Sequence, residues 1–199
     1  MAVFAVLMRL REICCDPRLV ADNWDGGSAK LDACMELVTA AVEGGHRILL
    51  FSQFTSMLEL LAKRLDEAGV SHFTLQGSTP KPVRAEQVRR FNQGEADVFL
   101  ISLRAGGTGL NLTAADIVIH YDPWWNLAAQ NQATDRAYRI GQRNPVQVYR
   151  LIAQDTIEEK IVELQQAKQS LADTVTGGAD GAILSMNPEQ LLQLLGEEA

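Results

Sequence analysis

The sequence predicts an α/β fold built on a parallel sheet. Three observations carry that expectation. Short apolar runs near residues 47–52, 72–75, 97–101, 116–121 and 146–151 alternate with longer amphipathic stretches. Several of these runs are continuous in Ile, Leu, Val and Phe, as strands covered on both faces are. Polar and glycine residues gather directly after them, at Ser52-Gln53, Gln76-Gly77-Ser78-Thr79, Ser102 to Gly109 and Asp122 to Asn126. Strand–helix alternation implies parallel strands joined by right-handed crossovers. Ligands on such sheets bind beyond the carboxyl ends of the strands, so the four polar clusters mark one working edge.

The elements follow in order. A helix over about residues 3–15 breaks at Pro17, which lacks the amide a helix interior needs. A polar loop from Ala21 to Ser28 contains Gly26-Gly27. Lys30 to Val42 reads as a helix, with Leu31, Cys34, Met35 and Val38 at spacings that share one face. Further helices are expected near 55–68, 80–93, 128–139 and 155–175. Gly69 reads as the stop of the first of these, which makes Asp66-Glu67-Ala68-Gly69 a surface helix end. Thr174 to Gly181 reads as a flexible linker. Asn187-Pro188 then caps a short helix to about 195, whose Leu191, Leu192, Leu194 and Leu195 need a partner surface, on this domain or beyond it. Residues 1–28 are thus a lead-in, 29–152 the sheet domain, and 153–199 a helical extension.

Two segments carry chemistry. Gln132-Ala-Thr-Asp135-Arg136-Ala-Tyr-Arg139-Ile-Gly-Gln142 places two arginines three apart in an expected helix, where they share a face. Two guanidinium forks aimed together suit a polyphosphate. A solvated helix face with a local Asp–Arg pair is the plainer alternative. The second segment, Ile101-Ser-Leu-Arg104-Ala-Gly106-Gly107-Thr108-Gly109-Leu-Asn111-Leu-Thr113, follows a buried strand. Its glycines permit a tight turn and close approach to backbone amides. The dinucleotide pattern GxGxxG fails, because Leu112 stands where the third glycine belongs.

Together with Tyr121-Asp-Pro-Trp124-Trp125-Asn126, these segments resemble the second RecA-like lobe of the Swi/Snf-type DNA-translocating ATPases of helicase superfamily two. Upstream, Arg47 to Phe54 is similar to that lobe's first motif, Leu75 to Thr79 to its next, and Leu10 to Leu19 to the segment leading into it. The resemblance spans roughly residues 7–170 with the motifs in family order. Two departures are Leu127, where relatives usually carry proline, and Tyr138, where many carry histidine.

The resemblance implies a RecA-like parallel sheet with helices on both faces, and half of an ATP site shared with a missing N-terminal RecA-like lobe. Arg136 and Arg139 are then the arginine fingers. Gly107, Gly109, Gln132 and Asp135 line the nucleotide. Ser52, Gln53, Gln76, Gly77, Ser78, Thr79, Ser102, Arg104 and Trp125 face double-stranded DNA. Trp125 has two open roles, a wedge at the DNA or interlobe face or packing in the core. The core role suits Trp124 better. ATP and Mg2+ belong to the full-length enzyme, and no metal is expected on this chain. The sequence holds no GxxxxGK[ST] phosphate loop and no acidic magnesium motif after an apolar strand, so the chain alone is expected to be inactive. Its opening Met1-Ala2, running straight into helical sequence, reads as a piece excised from a longer protein.

Composition bounds the rest. The 199 residues are 47% hydrophobic with a net charge of −7, which suits a globular domain and disfavours strong nucleic-acid affinity by itself. Arg84, Arg89 and Arg90 on one expected helix, and Arg136, Arg139, Arg143 and Arg150 beyond it, are local basic clusters. DNA affinity of this chain is therefore expected to be weak and salt-sensitive. The three cysteines lack zinc spacing and read as reduced. His120 reads as a satisfied core or edge residue. No apolar stretch reaches membrane-spanning length, and a bacterial, cytoplasmic, nucleoid-associated setting is expected. The alternative function is a non-catalytic DNA-binding or regulatory module. A self-contained Rossmann-type enzyme is disfavoured for want of a phosphate loop.

Overall fold

The computed structural model describes residues 2–21, 23–103, 105, 110–138, 142 and 144–174. The linker expected near 177–181 and the helix expected over 187–195 lie outside them. Five strands, β1 (Ile48–Ser52), β2 (His72–Leu75), β3 (Val98–Ser102), β4 (Ile117–His120) and β5 (Gln147–Arg150), form one sheet in the order β2-β3-β1-β4-β5. Every pairing is parallel. The helices are α1 (Ala2–Cys15), α2 (Ala29–Glu43), α3 (Thr55–Glu67), α4 (Lys81–Asn92), α5 (Leu127–Thr134) and α6 (Ile157–Thr174).

The continuous apolar runs are the central strands. Every residue of β1, β3 and β4 is buried, whereas β5, at one edge, is largely exposed. Side chains alternate across a strand, so each run feeds two cores. Ile48, Leu50, Val98, Leu100, Ile117 and Ile119 meet α2 and α3 on one face. Leu49, Phe51, Phe99, Ile101 and Val118 meet Phe91 of α4 and Ala133 of α5 on the other. A third cluster joins Leu7 of α1 to Ile157 and Ile161 of α6.

Helix ends follow local chemistry. Asp16 caps the 3-10 turn Pro17–Leu19, and Ser28 accepts from the Leu31 amide at the start of α2. Gly45, Gly69 and Gly94 take positive φ after α2, α3 and α4. The Val70 amide then reaches Leu65 O at 2.9 Å, closing α3 as expected for a glycine stop.

One expected helix is shorter than its pattern. The stretch 128–139 is helical only to Thr134. The Asp135 amide still reaches Asn131 O at 2.9 Å, but Arg136 and Ala137 bond instead to Ala133 O and Thr134 O. The ladder has tightened from i−4 to i−3, and Thr134 and Asp135 are weak helix formers. Arg136 therefore sits in a turn, not on the helical face assumed from its spacing to Arg139, which lies outside the described residues. Leu127 is the first residue of α5, a position that proline favours but does not monopolise, so leucine there leaves the helix start intact.

Candidate functional site

The carboxyl edge of the sheet brings together loops from distant parts of the chain. Ser52 and Ser102 are neighbours in register at the ends of β1 and β3. Both are buried. The Ser52 hydroxyl donates to Asp122 Oδ1 at 2.6 Å, and the Gln53 amide approaches the same carboxylate at 3.3 and 3.4 Å. Ser52 also accepts from the Phe54 amide at 3.2 Å. Its side chain is thus turned into the protein. The Ser102 side chain is likewise enclosed. Gln53 Nε2 is buried with no hydrogen-bond partner among the described residues.

The Gln76–Thr79 segment is an outward turn. The Thr79 amide donates to Gln76 O at 3.1 Å, and Thr79 Oγ1 accepts from the Gln76 amide at 3.0 Å. Gly77 and Ser78 are exposed, and a Cβ built on Gly77 would meet nothing within 4 Å. This turn offers open backbone to a ligand.

Sequence reading missed a buried arginine behind this edge. Arg11 of α1 is 1% exposed. Its Nη2 donates to Pro123 O at 2.6 Å and lies 3.7 Å from Asp122 Oδ2. The guanidinium is 5.0 Å from the Trp125 ring centroid and 5.6 Å from that of Phe54. Burial lowers the Arg11 pKa and raises that of Asp122, each opposed by the other's charge. The available signal was an arginine on the same helical face as Leu7 and Cys15; a charge on an apolar face needs a buried partner.

Trp125 accordingly packs against the α1–α6 cluster. It is half-buried, with Nε1 enclosed. Trp124 is also half-buried; its carbonyl accepts from Gln165 of α6 and its amide donates to Gln130 Oε1 at 3.2 Å.

The two chemistry-bearing segments meet. The Leu112 amide donates to Arg136 O at 3.2 Å. Gln142 Nε2 donates to Ala115 O at 2.6 Å and to Ala137 O at 3.4 Å. Arg136 is 3% exposed, while Gln132 and Asp135 are exposed. Arg104, Gly107, Gly109 and Arg139 lie outside the described residues. The α4 arginines are not a bare basic patch: Arg89 pairs with Glu86 at 2.6 Å, Arg90 with Glu95 at 2.7 Å, and Arg84 donates to Ala105 O at 3.2 Å. Among the described residues no group of three or more His, Cys, Asp and Glu side chains is placed to hold a metal ion, and no helix is long and apolar enough to cross a membrane.

Residues 29–141 match the helicase conserved C-terminal domain. The chain belongs to the helicase C-terminal domain family. An ATP-dependent helicase of Mycoplasma pneumoniae, itself uncharacterized, is 39% identical over 196 residues, covering 96% of this chain and 19% of that protein. The mouse SWI/SNF-related matrix-associated actin-dependent regulator of chromatin subfamily A member 1 is 39% identical over 188 residues, covering 88% of this chain and 18% of that protein. The helicase lobe also superimposes on the SWI2/SNF2 ATPase core of Sulfolobus solfataricus with a TM-score of 0.76 and 33% identity, covering 96% of this chain and 40% of that one. It is therefore a second RecA-like lobe of the Swi/Snf type. This lobe spans about a fifth of the length of the curated relatives it matches.

Proposed function

We propose that this lobe supplies one half of a DNA-dependent ATPase site, the other half being an N-terminal RecA-like lobe of the same parent protein. The observation that carries the reading is the set of hydrogen bonds that join Leu112 to Arg136 and Gln142 to Ala115 and Ala137. They tie the chain around Arg136 to the chain at 112–115, so a nucleotide at one is felt at the other. ATP with its magnesium would be held by the partner lobe, where the metal would neutralise charge on the phosphates.

Closing of the lobes brings Arg139 to the γ-phosphate, where a permanent planar cation stabilises charge that develops during transfer. Arg136 is enclosed in this structure and joins it only if the turn 135–138 opens on closing. Exposed Gln132 and Asp135 orient the fingers or the attacking water. The open turn at Gln76–Thr79 holds phosphates of one DNA strand through backbone and hydroxyl groups, which gives grip without reading sequence. Ser52 acts from inside the protein by setting Asp122, and Trp125 by packing the loop after β4. Alternate closing and opening then moves the lobe along the duplex.

The test is DNA-stimulated ATP turnover by the chain alone and joined to the first lobe of its parent, each with Arg139 or Arg139→Ala. Silence alone, activity when joined, and a loss of about 10³-fold or more with Arg139→Ala support the reading. Turnover by the isolated chain overturns the half-site. A joined enzyme indifferent to Arg139→Ala, with DNA binding retained, points to a non-catalytic DNA-binding or regulatory module.

A further inference from the structure

We infer that Arg11, outside the span that matches the helicase domain, is a positioning residue that sets the DNA-facing carboxyl edge; the inference rests on the proposal that this edge holds DNA. One guanidinium joins two loops. It grips the loop after β4 through Pro123 O at 2.6 Å, across 112 positions of sequence. Through Asp122, which holds the Ser52 hydroxyl and the Gln53 amide, it reaches the loop between β1 and α3. The Phe54 and Trp125 rings lie on either loop, each within 6 Å of the same guanidinium carbon.

The residue type matters. One arm, Nη2, donates to the Pro123 carbonyl and lies 3.7 Å from Asp122 Oδ2 while the guanidinium carbon lies over two aromatic rings, and a compact lysine ammonium offers no such delocalised plane to the rings. Arg11 is enclosed at 1% exposure and itself touches no ligand. It acts through Asp122, Pro123 and Trp125, which fixes how Gln53 and the neighbouring backbone present themselves. Sites lose function when the groups supporting them leave the contacting groups loosely held. The helix that carries Arg11 also packs on α6, so both flanking helices bear on this edge.

The experiment uses the full-length parent protein with Arg11→Lys and Arg11→Met. We expect both to raise the DNA concentration giving half-maximal ATPase by about tenfold, to change kcat at saturating DNA less than about twofold, and to speed amide exchange in 52–54 and 124–126. A lowered melting temperature with unchanged DNA dependence overturns the inference, because a purely structural arginine gives that result. Rescue by lysine also overturns it, since charge alone would then suffice. If the unaltered protein shows no DNA stimulation, the functional reading fails, and the exchange rates alone decide whether Arg11 fixes the two loops. If neither variant folds, exchange in the unaltered protein with and without duplex decides. Slowing at 8–15 together with 52–54 supports the coupling, and slowing at 52–54 without 8–15 overturns it.

Discussion

Lys30 Nζ lies 2.6 and 2.5 Å from the two carboxylate oxygens of Glu158, and both side chains are buried, at 8% and 0% exposure. The pair ties the first turn of α2 to the first turn of α6. Lys30 also sits 5.3 Å from the Tyr121 ring centroid, and Glu158 accepts from the Ala153 amide at 2.8 Å.

Removing either partner strands a buried charge, so Lys30→Met or Glu158→Leu alone is expected to cost about 3–5 kcal/mol, while the double replacement recovers most of it. Urea unfolding of the two single variants and the double measures this. Additive losses would mean the pair is not coupled.

His120 predicts a pH dependence. Burial, aided by Arg150, holds its imidazole down at about 4, against about 6.5 in an unfolded chain. The ring stacks on Phe51 at 5.5 Å, and Nε2 lies 2.9 Å from Thr134 Oγ1. Above about pH 6.5 the ring is neutral in both states and no penalty arises. As pH falls toward about 4, the unfolded chain takes up a proton that the folded chain refuses, so stability drops by a total on the order of 3 kcal/mol. Below that the loss stops growing. Unfolding free energies for the unaltered protein and His120→Gln over this window isolate the effect, because other groups titrate in both. The variant should lose this part of the slope; equal slopes would mean that His120 is protonated when folded.

Two glycines should separate strain from function. Gly69 has φ +68, so an alanine there is strained even though its Cβ would meet nothing, and about 1 kcal/mol of stability should go. Gly77 has equally open space and no positive φ, so Gly77→Ala should leave thermal stability unchanged. If DNA phosphates approach that backbone, the added methyl should weaken duplex binding several-fold. Unaltered binding would remove Gly77 from the interface.

Ser52→Ala tests the inward-turned serine. It deletes a 2.6 Å hydrogen bond to the enclosed Asp122, so about 1–3 kcal/mol of stability should be lost. A stable variant with weakened DNA binding would restore Ser52 to direct contact.

Much of this lobe is determined by local pattern. Continuous apolar runs mark β1, β3 and β4 as central strands covered on both faces, because a strand's geometry is the same whatever lies beside it. Ser28, Gly45, Gly69 and Gly94 act on their own helix ends, within a turn of chain, so the boundaries of α2 to α4 are legible too. The polar clusters after the strands mark the edge because parallel crossovers leave all carboxyl ends on one side. Local pattern fails where a side chain's partner is far away. Whether Ser52 faces DNA or Asp122, whether Trp125 projects or packs, and why an arginine interrupts the apolar face of α1 all depend on β4 lying beside β1 and on α1 crossing their ends. Ser52 meets Asp122 because the sheet order sets β4 beside β1, and Arg11 meets Pro123 across 112 positions of sequence. Hydrophobic periodicity reports which face of an element is covered, but not by what; the burial of a charge against a partner more than a hundred positions away is decided by topology alone.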